Sequence, residues 1–268
     1  MQTLVVKYGG SVSEEHTFLL EEIAYYARND VHVVVVHGGG PEVTQWLSRL
    51  GHATEFAKGQ RITDELALQV VEMVLSGRVG KRIVRQLQKY GVRALSLCGE
   101  DAGMVRAVPY ENGLLGYVGQ VEMVDVRLLC SLLADRYVPV IAPLGVDANG
   151  QVYNINADFV AASLAGALRA DAFVLATDVA GVREHANSQH TLEQLTEEEA
   201  ISMVEDGRAI GGMIPKLQAV VHAVQSGAKA AYVLDGRMAD ALHSVMEGRS
   251  IGTRIIPTGI MKGGVEHA

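Results

Sequence analysis

The sequence predicts an α/β protein built around a mostly parallel β-sheet, and two observations lead to this fold class. Short β-branched runs alternate with longer segments of helical period along the 268 residues, which is typical of consecutive βα units. Hydrophobic residues make up 49% of the chain but aromatic residues only 5%, so the core must consist mainly of Val, Leu, Ala and Ile. Such a core is typical of parallel sheets covered by helices.

The predicted strands are short aliphatic runs, nearly all followed within a few residues by glycine or aspartate. They cover residues 3–7, 31–37, 92–98, 137–142, 172–177 and 230–234. Apolar periodicity and capping residues predict the helices. They cover residues 13–28, 41–50, 63–90, 125–135, 157–168, 196–205, 213–226 and 238–246. The longest of these helices contains Gly77 and Gly80, which favour a bend.

Two segments interrupt the alternation of strands and helices. Asn112-Gly113 and Asn149-Gly150 are tight-turn dipeptides between extended residues, and they predict β-hairpins over residues 106–121 and 145–153. A fresh βα series without hairpins begins after Asp171, which predicts a boundary between two lobes there.

Composition limits the possible partners. The formal charge of −8 repels nucleic acid phosphates and anionic membrane surfaces. The longest uncharged stretch, residues 217–228, is far shorter than the roughly 20 residues of a membrane span, and the N-terminus shows no secretory signal. Cys98 and Cys130 lie far apart in apolar surroundings and are interpreted as reduced thiols. We therefore expect a cytoplasmic protein without nucleic acid or membrane partners.

Two strand ends run into glycines. Four valines at residues 33–36 precede His37, the glycine triplet 38–40 and a predicted helix, so several backbone N–H groups face outward at a helix N-terminus. This arrangement suits phosphate or carboxylate, although a tight strand–helix connection has the same sequence. At the end of the first predicted strand, Lys7 stands just before the glycine pair 9–10, where its ammonium group can reach an anion held by the amides.

Three further side chains fit a ligand site at the carboxyl edge of the sheet. Asp158 falls in the first turn of a helix that Asn156 can cap. Lys216 stands near a helix start after two glycines, and Arg61 precedes a helix where its guanidinium could hold a carboxylate bidentately. Taken singly, each of these residues fits an ordinary solvated surface position equally well.

Several common site types are absent from the sequence. Leu75 and Arg82 replace the first glycine and the hydroxyl residue that a P-loop around Gly80-Lys81 would need. No strand is followed by the dinucleotide pattern G-x-G-x-x-G, which argues against an NAD-dependent enzyme. No histidine pair has ligand spacing with a third partner, and no Ser or Cys lies in a nucleophile motif, so neither a zinc site nor acyl-enzyme chemistry is expected.

Six short motifs, taken in order, resemble those of the amino acid kinase family, and the likeness covers nearly all of the chain. They are Lys7-Tyr8-Gly9-Gly10, His37-Gly38-Gly39-Gly40-Pro41, Gly59-Gln60-Arg61-Ile62-Thr63, Asn154-Ile155-Asn156-Ala157-Asp158, Thr177-Asp178-Val179-Ala180-Gly181 and Gly211-Gly212-Met213-Ile214-Pro215-Lys216. The resemblance implies a three-layer αβα sandwich with a central, mostly parallel open sheet plus β-hairpins. It also implies ATP-dependent phosphorylation of the side-chain carboxylate of N-acetyl-L-glutamate in arginine biosynthesis.

The resemblance also implies roles for individual residues. Lys7 would contact the transferring phosphoryl group, Lys216 would neutralise charge on the ATP phosphates, and Asp158 would orient both lysines. Gly10, Gly39 and Gly40 would donate backbone amides to phosphoryl and substrate oxygens. Arg61 and Asn154 would bind the acyl acceptor. The implied nucleotide contacts are Gly9, Asp178, Val179, Gly181, Val182, Arg208 and Ile210.

The implied cofactor is ATP with Mg²⁺, the metal being held mainly by phosphate oxygens and water. Residues 1–171 would form the acceptor-binding lobe and the dimerisation surface of a homodimer, and residues 172–268 the ATP-binding lobe. Family members inhibited by arginine carry an additional N-terminal helix. Since Lys7 is almost at the start of this sequence, the resemblance implies a homodimer without arginine feedback.

Two alternatives stay open at the level of sequence. A related kinase phosphorylates 2-aminoadipate attached to an acidic carrier protein in lysine biosynthesis, and a basic cluster between Arg78 and Lys89 is compatible with such a partner. Aspartate, glutamate, carbamate and uridylate kinases share the architecture, although the motifs around Arg61 and Asp158 fit acetylglutamate best. The second alternative is a non-catalytic amino-acid sensor on the same fold, which would tolerate loss of Lys7, Asp158 or Lys216.

Overall fold

The computed structural model describes residues 1–9, 18–57 and 59–259, and it consists of alternating strands and helices. Its strands are β1 (Thr3–Tyr8), β2 (His32–His37), β3 (Phe56–Ala57), β4 (Gln60–Arg61), β5 (Ala94–Cys98), β6 (Val105–Pro109), β7 (Val118–Val124), β8 (Val138–Ala142), β9 (Leu144–Val146), β10 (Val152–Ile155), β11 (Ala172–Thr177), β12 (Gln194–Thr196), β13 (Ala231–Asp235) and β14 (Thr253–Ile256). Its helices are α1 (Phe18–Arg28), α2 (Gly40–Arg49), α3 (Glu65–Glu72), α4 (Gly80–Lys89), α5 (Arg127–Ala134), α6 (Ala157–Ala167), α7 (Glu197–Glu205), α8 (Met213–Gln225) and α9 (Ala241–Met246).

The main sheet has eight strands in the order β12-β14-β13-β11-β1-β2-β8-β5. Every neighbouring pair is parallel except β13 and β14, which are antiparallel, so the predicted mostly parallel sheet is confirmed. β11 starts at the predicted lobe boundary and pairs directly with β1. The two predicted lobes therefore share one continuous sheet.

Side chains of the central strands alternate between two hydrophobic layers. Leu4 and Val6 of β1 pack on the face covered by α1, α2, α3, α4 and α9, whereas Val5 packs on the face covered by α5, α6, α7 and α8. The strands are buried on both faces, which explains their nearly continuous aliphatic sequences. These contacts confirm the three-layer αβα sandwich.

Both predicted hairpins are present, but they also join each other. β6 pairs antiparallel with β7, and β9 pairs antiparallel with β10. β7 and β10 in turn pair parallel, as do β6 and β9, and these strands close into a small four-stranded barrel. A turn dipeptide identifies only its own hairpin, so the closure was not predicted from sequence. The barrel positions Asn154 of β10 beside the glycine triplet of the main sheet.

The helix predicted over residues 63–90 is divided. α3 begins at Glu65, where Asp64 Oδ1 accepts a hydrogen bond from the backbone N–H of Ala67 at 2.8 Å, so Asp64 caps the helix. Residues Met73–Val79 are π-helical, and α4 follows directly. The glycines that predicted a bend thus lie at a change of helical type.

Other element boundaries differ in detail from the predictions. Residues 13–17 of the first predicted helix lie outside the described residues. α9 begins at Ala241 rather than at 238, because Asp240 has a left-handed backbone with φ of 59°. The strands β3, β4, β12 and β14 were missed, since two to four residues carry too little periodicity to be recognised. Within the described part of the chain, every helix is too short or too polar to span a bilayer.

Helices α6 and α8 pack side by side and carry Asp158 and Lys216 at their N-terminal ends. Near their C-terminal ends the approach is so close that a Cβ atom on Gly166 would overlap the Cβ of Ser226. The missing side chain of Gly166 therefore sets the spacing of two helices that both contribute to the sheet edge.

We predict that Gly166→Ala destabilises the protein by about 1–3 kcal/mol, because the added methyl group must push α6 away from α8. Gly77→Ala is the matched control. Nothing lies within 4 Å of a Cβ added there, so that variant should be neutral or more stable by about 0.5–1 kcal/mol. Denaturant unfolding of both variants measures the difference. Equal stability of the two variants would mean that the helix spacing does not depend on Gly166.

Candidate active site

The carboxyl ends of the central strands lie at one edge of the main sheet. β1 is parallel to β2 and β11, and Lys7 lies level with Val36 and Leu175. β1 then continues into Gly9, β2 into the glycine triplet, and β11 into Asp178. The predicted ligand-binding residues follow different strands, but the parallel sheet brings them to the same edge.

Asp158 joins two lysines from distant parts of the chain. Lys7 Nζ lies 2.9 Å from Asp158 Oδ1, and Lys216 Nζ lies 3.4 Å from Asp158 Oδ2. Asp158 occupies the first turn of α6, where Asn156 Oδ1 accepts a hydrogen bond from its backbone N–H at 2.9 Å. Lys216 occupies the first turn of α8. The cap predicted at Asn156 is therefore confirmed, and the three charged groups meet at the edge.

The ionisation of this cluster follows from its surroundings. The side chain of Asp158 is only 8% exposed. Burial by itself raises the pKa of a carboxyl group, but the positive charges of Lys7 and Lys216 and their hydrogen bonds outweigh it, so the pKa of Asp158 lies below its ordinary value. Asp158 is ionised at neutral pH, and two positive charges against one negative leave the cluster cationic. Such a cluster attracts a further anion.

The glycine triplet lies between β2 and α2, and its residues differ in their surroundings. The backbone N–H of Gly38 donates to Tyr8 O at 3.2 Å, which ties the triplet to the end of β1. A Cβ on Gly39 would lie 2.5 Å from Leu75 Cδ2, whereas a Cβ on Gly40 would meet no atom within 4 Å. Gly39 is thus required for packing against the π-helical segment. Gly40 faces open space.

His37, directly before the triplet, is fully buried. Burial lowers the pKa of His37 to about 4, so its ring is neutral near pH 7. Its Nδ1 lies 2.9 Å from Gly38 O, which indicates the tautomer that carries a proton on Nδ1. His37 thereby supports the backbone of the glycine triplet.

A cavity of about 200 Å³ opens next to the triplet. Its polar wall comes from Arg61, Asn154, Asn156 and the triplet, and it reaches Ala157, the residue before Asp158. Its apolar wall is formed by Val43, Phe56, Val71, Leu75, Pro143 and Ile155. A small molecule that has an aliphatic part and polar ends fits such a lining.

The guanidinium of Arg61 is held firmly at this cavity. Its Nη2 donates to Gly40 O at 3.0 Å and to Thr44 Oγ1 at 2.7 Å, and its Cζ lies 4.9 Å from the ring centre of Phe56. Burial lowers the pKa of Arg61. The Nη1 atom is buried and finds no acceptor among the described residues. A buried donor of this kind requires a partner such as a bound carboxylate.

Asn154 contributes the second polar group to the cavity. β10 holds its backbone within the four-stranded barrel, and its Nδ2 donates to Thr63 Oγ1 at 3.1 Å. The structure therefore brings Arg61 and Asn154 to one cavity, although they come from different parts of the chain.

The predicted nucleotide contacts lie in the loop after β11 and in the loop before α8. Asp178 and Val179 follow β11, and Arg237 Nη2 donates to the backbone carbonyl of Asp178 at 2.9 Å. Arg208 and the exposed Ile210 lie in the loop between α7 and α8, which leads into the turn that carries Lys216. Asp178 thus follows a strand that pairs with the strand of Lys7, and Arg208 and Ile210 precede the helix that carries Lys216.

Two of the predicted nucleotide residues are covered by protein. Val182 is buried, and its backbone N–H donates to Thr253 Oγ1 at 2.8 Å. A Cβ on Gly181 would lie 2.6 Å from Thr191 Cγ2. Both residues pack against neighbouring strands, so they shape the loop rather than present side chains to an opening. Gly10, predicted to donate an amide, lies outside the described residues.

Sequence reasoning missed four residues that hold this site together: Thr44, Phe56, Thr63 and Arg237. Each contacts a predicted site residue, and only Thr63 belongs to one of the six motifs, where no role in the site was predicted for it. Thr63 is the first residue of the predicted helix 63–90, but the helix begins at Glu65 and is capped by Asp64. In the described ranges, no group of three or more His, Cys, Asp or Glu side chains could hold a metal ion.

The three layers, the cationic cluster and the neighbouring cavity at the carboxyl edge are those of an α/β protein with a site suited to small anions. The profile of the amino acid kinase family matches residues 2–235. An acetylglutamate kinase of Thermosynechococcus vestitus is 41% identical, over 90% of this chain and 83% of that protein. One from Symbiobacterium thermophilum is 39% identical, over 95% of this chain and 92% of that protein. The chain therefore belongs to the amino acid kinase family.

A solved structure agrees with this assignment at the level of fold. The N-acetylglutamate synthase of Neisseria gonorrhoeae, complexed with coenzyme A and N-acetyl-glutamate, superimposes with a TM-score of 0.82 at 23% identity. The match covers 95% of this chain and 59% of that chain. The fold predicted from the resemblance is confirmed.

We predict that Gly40→Ala weakens binding of the acyl acceptor with little loss of stability, because Gly40 lines the cavity and a methyl group added there meets no protein atom within 4 Å. Gly39→Ala is the contrasting variant for stability, since the side chain of Leu75 must shift to admit its methyl group, and it should therefore be less stable than Gly40→Ala. Steady-state kinetics with varied acceptor, together with thermal unfolding, separate the two effects. Unchanged acceptor KM in Gly40→Ala would contradict a contact between Gly40 and the acceptor.

Proposed function

We propose that this chain transfers the γ-phosphoryl group of ATP to the side-chain carboxylate of N-acetyl-L-glutamate, forming N-acetyl-L-glutamyl 5-phosphate and ADP in arginine biosynthesis. The proposal is supported by the acetylglutamate kinases at 41% and 39% identity, since both align with nearly the whole chain. Their names favour an enzyme over a non-catalytic sensor, and they favour N-acetylglutamate over carrier-bound 2-aminoadipate.

The main structural support for this function is the Lys7–Asp158–Lys216 cluster, which lies beside the cavity that Arg61 lines. Phosphoryl transfer to a carboxylate brings two anions together, and their mutual repulsion must be offset. A cationic cluster on one side and a buried guanidinium on the other can offset it. The cavity would hold the acceptor, with Arg61 and Asn154 binding its polar end.

The chemistry requires no general base. A side-chain carboxylate has an ordinary pKa of about 4.3, so the acceptor is already an ionised nucleophile at neutral pH. Catalysis then consists of aligning acceptor and donor and stabilising charge on the transferring group. In this scheme Lys7 contacts the transferring phosphoryl group, Lys216 offsets charge on the ATP phosphates, and Asp158 holds both ammonium groups in place. The amides of Gly10, Gly39 and Gly40 donate to phosphoryl and substrate oxygens.

ATP would lie over the loops that contain Asp178, Val179, Arg208 and Ile210, with Gly9 near its phosphates. The donor set fits a metal that arrives with the nucleotide, because the carboxylate of Asp158 is already occupied by two lysines. Mg²⁺ bound with ATP would be held mainly by phosphate oxygens and water, and it would offset part of the phosphate charge. Gly181 and Val182 would act through the shape of the nucleotide loop.

The two lobes would divide these tasks. All residues that line the cavity precede 171, which supports acceptor binding by residues 1–171. Asp178, Arg208 and Lys216 follow it, which supports ATP binding by residues 172–268. We further propose a cytoplasmic homodimer with its dimerisation surface in the first lobe, an assembly that rests on the family resemblance. Light scattering coupled to gel filtration determines the mass of the assembly.

An acceptor panel with MgATP, with acyl phosphate trapped by hydroxylamine, tests the proposed function. We expect hydroxamate with N-acetylglutamate and none with aspartate, glutamate, carbamate or carrier-bound 2-aminoadipate. Lys216→Ala should lower the signal by at least about 100-fold, since it removes a charge that acts on the transition state. Lys229→Ala is the matched control, because Lys229 pairs with Asp171 on the exposed surface before β13.

The outcomes separate the alternatives. Hydroxamate with carrier-bound 2-aminoadipate alone would assign the chain to the lysine branch, and no hydroxamate with any acceptor would favour the sensor. Full activity in Lys216→Ala would contradict the role of that lysine.

A further inference from the structure

Thr63 lies behind the cavity and is completely buried. It connects β4 to α3, and its backbone is already fixed on both sides. Its N–H donates to Leu115 O at 3.0 Å, and its carbonyl accepts from the N–H of Tyr117 at 2.7 Å. These two bonds hold the segment against the loop before β7. The hydroxyl group is therefore not needed to anchor the backbone of Thr63.

The hydroxyl group of Thr63 instead joins two residues of the acceptor cavity. Thr63 Oγ1 donates to the backbone carbonyl of Arg61 at 2.9 Å, and it accepts from Asn154 Nδ2 at 3.1 Å. A hydroxyl group has one proton. Since that proton is used on Arg61, the contact with Asn154 is possible only when Asn154 turns its NH₂ group toward Thr63.

This hydrogen-bond pattern fixes the orientation of the side-chain amide of Asn154. The NH₂ group gives one N–H to Thr63, so the other N–H and the carbonyl oxygen Oδ1 stay available at the cavity that Asn154 lines. If the amide were reversed, Oδ1 would face the lone pairs of Thr63 Oγ1, and a buried hydrogen bond would be lost. A lost bond of this kind costs about 1–3 kcal/mol.

We propose that Thr63 is a positioning residue for the acyl acceptor, through the orientation that it imposes on Asn154 and the support that it gives to Arg61. The inference rests on the proposed function, because it takes Arg61 and Asn154 to be the residues that bind the acceptor. Thr63 itself does not line the cavity and touches no substrate. Thr63 determines which hydrogen-bond donors and acceptors the cavity wall presents. That pattern recognises the polar end of the acyl acceptor.

Thr63→Val tests the proposal, because valine keeps the branched shape and removes both hydrogen bonds. We expect the KM for N-acetylglutamate to rise about tenfold, which corresponds to about 1.4 kcal/mol, while the KM for ATP stays unchanged. Thr63→Ser retains the hydroxyl group and should restore the KM to within about twofold of wild type. If Thr63→Val fails to fold, Thr63→Cys, with its weaker donor and acceptor, replaces it in the same comparison.

Two further variants exclude a purely structural effect. Ser163→Ala removes another buried hydroxyl group, which lies 3.1 Å from His222 Nε2 between α6 and α8, and it should lower stability without raising the KM for the acceptor. Asn154→Ala removes the group through which Thr63 acts most directly. Calorimetric titration of N-acetylglutamate should therefore show that Thr63→Val weakens binding much less in the Asn154→Ala background than in wild type.

The results distinguish failure of this inference from failure of the proposed function. If the wild-type protein forms no hydroxamate from N-acetylglutamate, the proposed function is overturned. If the wild-type protein is active and Thr63→Val keeps its acceptor KM, or raises the KM values for acceptor and ATP equally, only the positioning role of Thr63 is overturned. Full additivity of the two substitutions in binding would also overturn it.

Discussion

The site depends on one interaction, the contact of the buried Asp158 carboxylate with two ammonium groups. Removing an ionised carboxylate from water is costly unless opposite charges surround it, and here Lys7 and Lys216 supply them. The same contact fixes the positions of both lysines, which come from β1 and α8, relative to α6. Because one carboxylate cannot neutralise two lysines, the cluster keeps a positive charge at the edge of the sheet, where the proposed phosphoryl transfer takes place.

The acceptor cavity contains few charged groups, and hydrogen bonds to other protein groups hold its polar side chains in place. Arg61 is held by Gly40 O and Thr44, while Asn154 is held by Thr63 within the frame of the small barrel. Rigid support of this kind lets a cavity distinguish among small carboxylates, because donors that are already in place need no ordering when the ligand binds. The packing of Gly39 against the π-helical segment extends the same rigidity to the glycine triplet.

The sequence predicted those parts of the structure that depend on local patterns. Aliphatic runs gave the central strands, and glycines and lysines at strand and helix ends located the edge at which Lys7, Asp158 and Lys216 meet. Contacts between distant segments could not be predicted in this way. Thr63 was predicted only as the start of a helix, because its bond to Asn154 spans 91 positions. Val182 followed a glycine in a nucleotide motif, but only the packing of Thr253 against it shows that it is covered.

The kinetics of Asp158→Asn show whether the buried carboxylate organises the site. Asparagine keeps the shape of the side chain but leaves two ammonium groups facing each other without a counter-charge. We expect kcat for hydroxamate formation to fall at least about 100-fold, because neither lysine is then held where charge develops. Circular dichroism would establish that the variant is folded. A folded Asp158→Asn protein with kcat within about threefold of wild type would contradict the claim that this carboxylate organises the site.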